Sequence, residues 1–130
     1  MRLACAPAIY PATTWSFVNN VRVGDGLPPL QWDDSLVPTV NPRALRLATN
    51  LELDHDGLND AYNASPAYGR SVCELGGKQP LSALPDSVGY GLGDSPRHHA
   101  CLDDPKYTRT AIAAWVGADG WVYEVMWLTD

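Results

Sequence analysis

The strongest constraint on the fold lies at the C-terminus, where two apolar stretches, residues 110–116 (TAIAAWV) and 121–128 (WVYEVMWL), flank Gly117-Ala118-Asp119-Gly120. This pattern predicts a β-hairpin closed by a short glycine-rich turn. In the second strand, Trp121, Tyr123, Val125 and Trp127 share one face, and Val122, Glu124, Met126 and Leu128 share the other. Both faces are largely apolar, so both must be covered. That pattern fits a sheet sandwiched between helical layers.

The first helix is predicted after an irregular lead over residues 1–13, where Pro7 and Pro11 are spaced against a helix. Thr13 or Thr14 caps it, Trp15, Val18 and Val21 recur on one side with Phe17 beside them, and Gly24-Asp25-Gly26 ends it. A second helix is predicted from Asp33 or Asp34, with a buried stripe of Leu36, Val40, Ala44 and Leu47 or Ala48. Pro38 fits its first turn, whereas Pro42 is expected to kink or split it. From Ala61 to Asp94 the chain is rich in Gly, Pro, Ser and Asn and reads as loop around one short strand near Arg70 to Cys73.

With 130 residues, 45% of them hydrophobic, the chain suffices for one core and one domain. Its net charge of -6 opposes association with phosphate backbones and anionic membranes, which excludes nucleic acid as a natural partner. No apolar run reaches the roughly 20 residues of a transmembrane helix. The opening residues, MRLACAPAIYPATT, read as too short and too broken by proline for a signal peptide. Gly89 to Gly93 lacks the strand, lysine and helix of a nucleotide loop and reads as a turn. None of Ser71, Ser87 and Ser95 sits in a nucleophile elbow, which argues against a serine hydrolase. The five Trp are placed mostly at core positions, so packing explains them better than a carbohydrate platform.

Three cysteines leave one over if a bridge forms. Cys101 stands about one helical turn beyond His98, and Cys73 stands beside Glu74.

Residues 19–36, NNVRVGDGLPPLQWDDSL, contain the pattern N-x-x-R-x-x-x-G-L-P-P-L-x-W-D-x-x-L. Residues 95–109, SPRHHACLDDPKYTR, contain S-P-x-H-x-x-x-L-x-x-P-x-Y-T. With His55 and Glu74 between them, these segments resemble the CAP superfamily of cysteine-rich secretory proteins, antigen 5, plant pathogenesis-related-1 proteins and short bacterial relatives. The resemblance implies an α+β fold, a three-layer αβα sandwich around a small, mainly antiparallel sheet, with residues 14–130 forming the single domain. It also implies a cleft in which two histidines and an acid converge: His55 matches the first histidine, Glu74 the acid of the Gly-Glu-Asn motif, and His98 the histidine of the S-P-x-H motif. If the fold joins Glu74 to His98 as in the family, Cys73 and Cys101 come within reach of a disulfide, leaving Cys5 as the odd thiol.

The match has gaps. Gly-Glu-Asn is here Cys73-Glu74-Leu75, Leu92 replaces the usual Trp, and Asp86 and Asp94 are the candidates for a second acid. His99 replaces a common Arg and either supplements the cleft or faces water.

His55, His98 and Glu74 are a suitable ligand set for zinc or another divalent transition metal, although nothing in the spacing requires a cofactor. The lead expectation is an extracellular or cell-envelope binding module that holds a metal, a small apolar or lipid ligand or a protein partner, as a monomer or weak oligomer; whether it is an enzyme is left open, with the balance against. The alternative is a peptidase-like hydrolase in which His55 and His98 hold zinc or water and Glu74 is the base or third ligand.

Overall fold

The hairpin forms as the sequence predicts, with strands Arg109–Val116 and Trp121–Thr129 paired antiparallel in register from Arg109 opposite Thr129 to Val116 opposite Val122. In the computed structural model, which describes residues 3–83 and 96–130, the elements in chain order are β1 (Ala4–Cys5), α1 (Ile9–Gly24), β2 (Gln31–Trp32), a 3-10 turn (Asp34–Leu36), α2 (Val37–Asn50), α3 (Leu58–Asn63), β3 (Val72–Pro80), α4 (Pro96–Leu102), β4 (Arg109–Val116) and β5 (Trp121–Thr129). Asp86, Asp94, Leu92, Ser87, Ser95 and the Gly89 to Gly93 turn lie outside the described residues.

The sheet order is β1-β4-β5-β3, all antiparallel, with the two-residue β2 added parallel to β4. Tyr123, Val125 and Trp127 of β5 pack with Leu36, Val40, Ala44, Leu47 and Ala48 beneath α2. On the opposite face, Met126 and Leu128 pack with Val18 of α1 and Leu102 of α4, and Val122 packs with Tyr10. The fold is thus the three-layer α+β sandwich expected from a hairpin apolar on both sides.

Three local expectations are corrected. First, α1 begins at Ile9 rather than at Thr13 or Thr14, so the lead is not irregular throughout. Pro11 is its third residue, where the backbone N–H groups have no partner inside the helix, so proline costs no hydrogen bond there. The buried line of α1 is Tyr10, Thr14, Val18 and Arg22, which turns Thr14 from a cap into a core residue.

Second, α2 is assigned as one helix through Pro42. Pro38 and Pro42 are both exposed, so the Pro38 carbonyl that Pro42 cannot serve meets water. Asp33 does cap this region, accepting from the Ser35 backbone N–H at 3.0 Å.

Third, the predicted short strand extends nine residues, Val72–Pro80, paired along its whole length with β5. Its two glycines weaken the strand signal, yet the ladder with β5 runs through both, Gly76 opposite Val125 and Gly77 opposite Glu124.

Candidate functional site

Glu74 projects from β3 on the same face as its register partner Trp127, beneath α2. Its side chain is 2% exposed, and a buried carboxylate must find donors. It finds four. Arg43 of α2 donates from Nη2 to Oε1 at 2.6 Å and from Nε to Oε2 at 2.9 Å, a two-pronged pair. Trp127 Nε1 donates to Oε2 at 2.7 Å, and His55 Nδ1 lies 2.9 Å from Oε1. Burial by itself would raise the Glu74 pKa, but the bonds from Arg43, His55 and Trp127 together hold it below the ordinary carboxylate range.

An ionised Glu74 only accepts, so Nδ1 of His55 must carry the proton, leaving Nε2 as the lone-pair nitrogen. His55 lies between α2 and α3, its side chain 55% exposed. The loop holding it is fixed by Arg43 Nη1, which also donates to the Asp56 carbonyl, and by Gly57 at φ 81°, a left-handed position that starts α3. A Cβ on Gly57 would come within 3.3 Å of Arg43 Nη1.

His98 comes from α4. With His55, Glu74, Leu58, Val72 and Leu75 it lines a cleft of about 400 Å³. Cys73 and Cys101 line the same cleft and are joined in a disulfide across a sequence separation of 28. This bridge ties α4 to β3, and in the chain-entropy account such a loop adds about 3 to 4 kcal/mol. Cys5 is exposed and free. His99, one residue on and therefore about 100° around the helix, leaves the cleft. Its Nε2 lies 2.7 Å from Asp103 Oδ2 and 3.4 Å from Asp25 Oδ2.

As a three-ligand zinc set, His55, Glu74 and His98 do not fit. A carboxylate offers about four lone-pair positions, and Arg43, Trp127 and His55 occupy those of Glu74. The imidazoles of His55 and His98 remain as donors, with Glu74 behind His55 as the group that sets its tautomer.

Sequence reasoning missed Arg43 and Trp127. For Arg43 the signal was present: it stands three residues after Val40 and four before Leu47, a charge on a buried stripe that demands a buried acid. Two motif residues turn out to be structural. Asn19 accepts from the Leu30 N–H at 2.8 Å, and Arg22, 1% exposed, donates to the carbonyls of Pro28, Leu102, Asp104 and Tyr107. Arg22 therefore ties the Leu-Pro-Pro-Leu connector and α1 to the segment after α4.

The sequence pattern described as the cysteine-rich secretory protein family, CAP, matches residues 15–129. The chain belongs to the CAP family. No curated protein matches this CAP domain. Among solved structures, an outer surface protein of Borrelia burgdorferi is similar at 14% identity and a TM-score of 0.81, covering 99% of this chain and 98% of that one. A cysteine-rich secretory protein of Staphylococcus aureus is similar at 18% identity and a TM-score of 0.69, covering 94% of this chain and 38% of its own. An extracellular protein with an SCP domain from Bacillus anthracis gives 18%, 0.68, 90% and 39% in the same order. At these identities the likeness establishes the CAP fold and nothing of ligand or chemistry. No helix among the described residues is long and apolar enough to cross a membrane.

Proposed function

We propose that this CAP domain is a binding module working outside the cytoplasm, which holds its ligand in the cleft between His55, β3 and α4 without transforming it. The observation that carries the reading is the saturated Glu74 carboxylate. An acid held ionised by four donors has neither the free lone pair of a metal ligand nor the proton affinity of a general base. What it can do is orient His55. Among the described residues the cleft lining contains no serine, threonine or free thiol to act as nucleophile, because both of its cysteines are bridged.

The ligand class follows from the lining. His55 and His98 offer imidazole nitrogen to a divalent transition metal, while Leu58, Val72, Leu75 and the disulfide give the cleft apolar walls suited to a small apolar or lipid molecule. A protein partner reaching in with an apolar side chain would meet the same walls. The disulfide supports an oxidising compartment. So do the names of the similar proteins from Borrelia, Staphylococcus and Bacillus, which describe an outer surface, a secretory and an extracellular protein.

A hydrolase reading retains one supporting feature, an imidazole oriented by a carboxylate, and would then rest on His55 and not on Glu74 as the base. The two readings separate in one experiment. Wild type is incubated with a mixed peptide library with and without zinc, and the imidazole resonances of His55 and His98 are followed by NMR during titration with zinc and with laurate. The binding reading expects shifted imidazoles and no turnover. Turnover abolished by His55→Ala in a protein that keeps its circular dichroism would replace it with the hydrolase.

A further inference from the structure

Outside the cleft, the ends of two helices meet. Asp25 is the residue at which α1 closes, and Asp103 directly follows α4, its N–H bonded to the His99 carbonyl at 3.0 Å. His99 stands between them, one turn before Asp103 on α4. One ligand atom from each of Asp25, His99 and Asp103 falls within 4.8 Å of the other two, and among the described residues this is the group of three His, Cys, Asp or Glu side chains that does so.

We propose that Asp25, His99 and Asp103 form a site for a zinc-class divalent transition metal, separate from the cleft, that fastens α4 to the C-terminal end of α1. Four observations converge on a cation here. The donor set, one imidazole and two carboxylates, is one that such metals accept, with water completing the tetrahedron. Oδ1 of Asp103 is buried with no hydrogen-bond donor among the described residues, and Asp25 is an acid set against it. Both helices present their C-terminal, negative ends to the spot. The chain as a whole carries a net charge of -6.

Arg22 is the cation within electrostatic reach of both Asp103 and Asp104. It spends four of its five N–H donors on the carbonyls of Pro28, Leu102, Asp104 and Tyr107, and its charge offsets part of the acids. Asp104 adds a further negative charge, paired at 3.4 Å with Lys106. His99 Nε2 lies against both carboxylates, and the two acids also face each other directly, so burial and the neighbouring Asp25 push the Asp103 carboxyl above its ordinary value. A divalent ion would satisfy both.

The consequence concerns the cleft, since α4 carries His98 on one side and His99 on the other. The Cys73–Cys101 bridge holds α4 from the inside, and the cation would hold it from the outside.

The test uses chelator-stripped, oxidised full-length protein and zinc alone, by calorimetry with thermal melts. The His55→Ala/His98→Ala double variant removes the cleft imidazoles, so its result does not depend on how the cleft is read. It is expected to take up one equivalent of zinc and to melt higher with zinc than without. In that background, His99→Ala and, separately, Asp25→Asn are expected to weaken uptake by more than about 100-fold, beyond the 10- to 100-fold cost of losing a mere orienting partner. They should also abolish the rise in Tm. Asp25→Asn, at an exposed cap, guards against a folding defect in the histidine variant. Absence of zinc uptake in the double variant, or uptake unchanged by either further substitution, overturns the site.

Discussion

Two buried glutamates on opposite faces of one sheet have opposite fates. Glu74 on β3 faces α2, and Glu124 on β5 faces α1; their residues are 8% and 2% exposed. Glu74 gathers two donors from Arg43, one from Trp127 and one from His55, and is held ionised below the ordinary carboxylate range. Glu124 has Thr14, whose hydroxyl donates to Oε2 at 2.7 Å, while Oε1 receives no hydrogen bond from the described residues. Burial pushes its pKa up to about 8, against the opposing pull of Thr14. Similar depth gives a carboxylate in one place and a carboxylic acid in the other. The number of donors, more than the burial, decides the charge.

The comparison breaks most severely at Arg43. Arg43→Ala leaves Glu74 buried with its main partner gone and is expected to cost about 3 to 5 kcal/mol in urea unfolding. The Arg43→Ala/Glu74→Gln double variant should recover part of that loss, and an additive loss would mean that the two side chains do not act as a pair.

Next is Glu124. Its folded pKa, raised from 4.5 to about 8, means that the native state binds more protons than the unfolded chain between those values, so its contribution is complete below about 4.5 and is lost as the pH rises toward 8. Glu124→Gln keeps the Thr14 partner and removes the charge. At pH 7 it should exceed wild type by about 3 kcal/mol, with no gain near pH 4.5. A gain independent of pH would refute the protonated state.

Thr14→Val removes the donor that Glu124 has among the described residues and is expected to cost about 1 kcal/mol. It should also raise the Glu124 pKa further, read from the carboxyl carbon shift in an NMR titration. The smallest stability effect belongs to His55→Ala, because the ring is 55% exposed and Glu74 keeps its other three donors. Less than about 1 kcal/mol is expected. A larger loss would make His55 part of the scaffold and weaken its assignment to the cleft.

Glu74 sets the acid limit. Since its folded pKa lies below 4.5, it stabilises the protein above that value and ceases to do so as the pH falls through the folded pKa. Wild type should therefore lose stability on acidification where Glu74→Gln does not.

Much of this architecture was legible in the chain. Periodicity exposes the hairpin and its two apolar faces, as well as the α2 stripe from Leu36 to Ala48, because a period of 2 or 3.6 survives in the residues themselves. The motif residues led to His55, Glu74 and His98, which line one cleft, and to the Cys73–Cys101 bridge. What was not legible depended on solvent exposure or on partners far away in sequence. Pro42 is tolerated because its turn faces water, and Gly76 and Gly77 belong to a strand because β5 supplies the ladder. His99 points to Asp25, 74 positions earlier, only because the ends of α1 and α4 converge.

The sequence alone determined which stretches must be covered and which side chains carry chemistry, since apolar periodicity and residue type are local properties. The tertiary structure decided what those side chains are: Glu74 an orienting anion, Glu124 a neutral acid, His99 a link between helices. Charge state and role depend on how many donors and charges surround a group, and those arrive from positions tens of residues away.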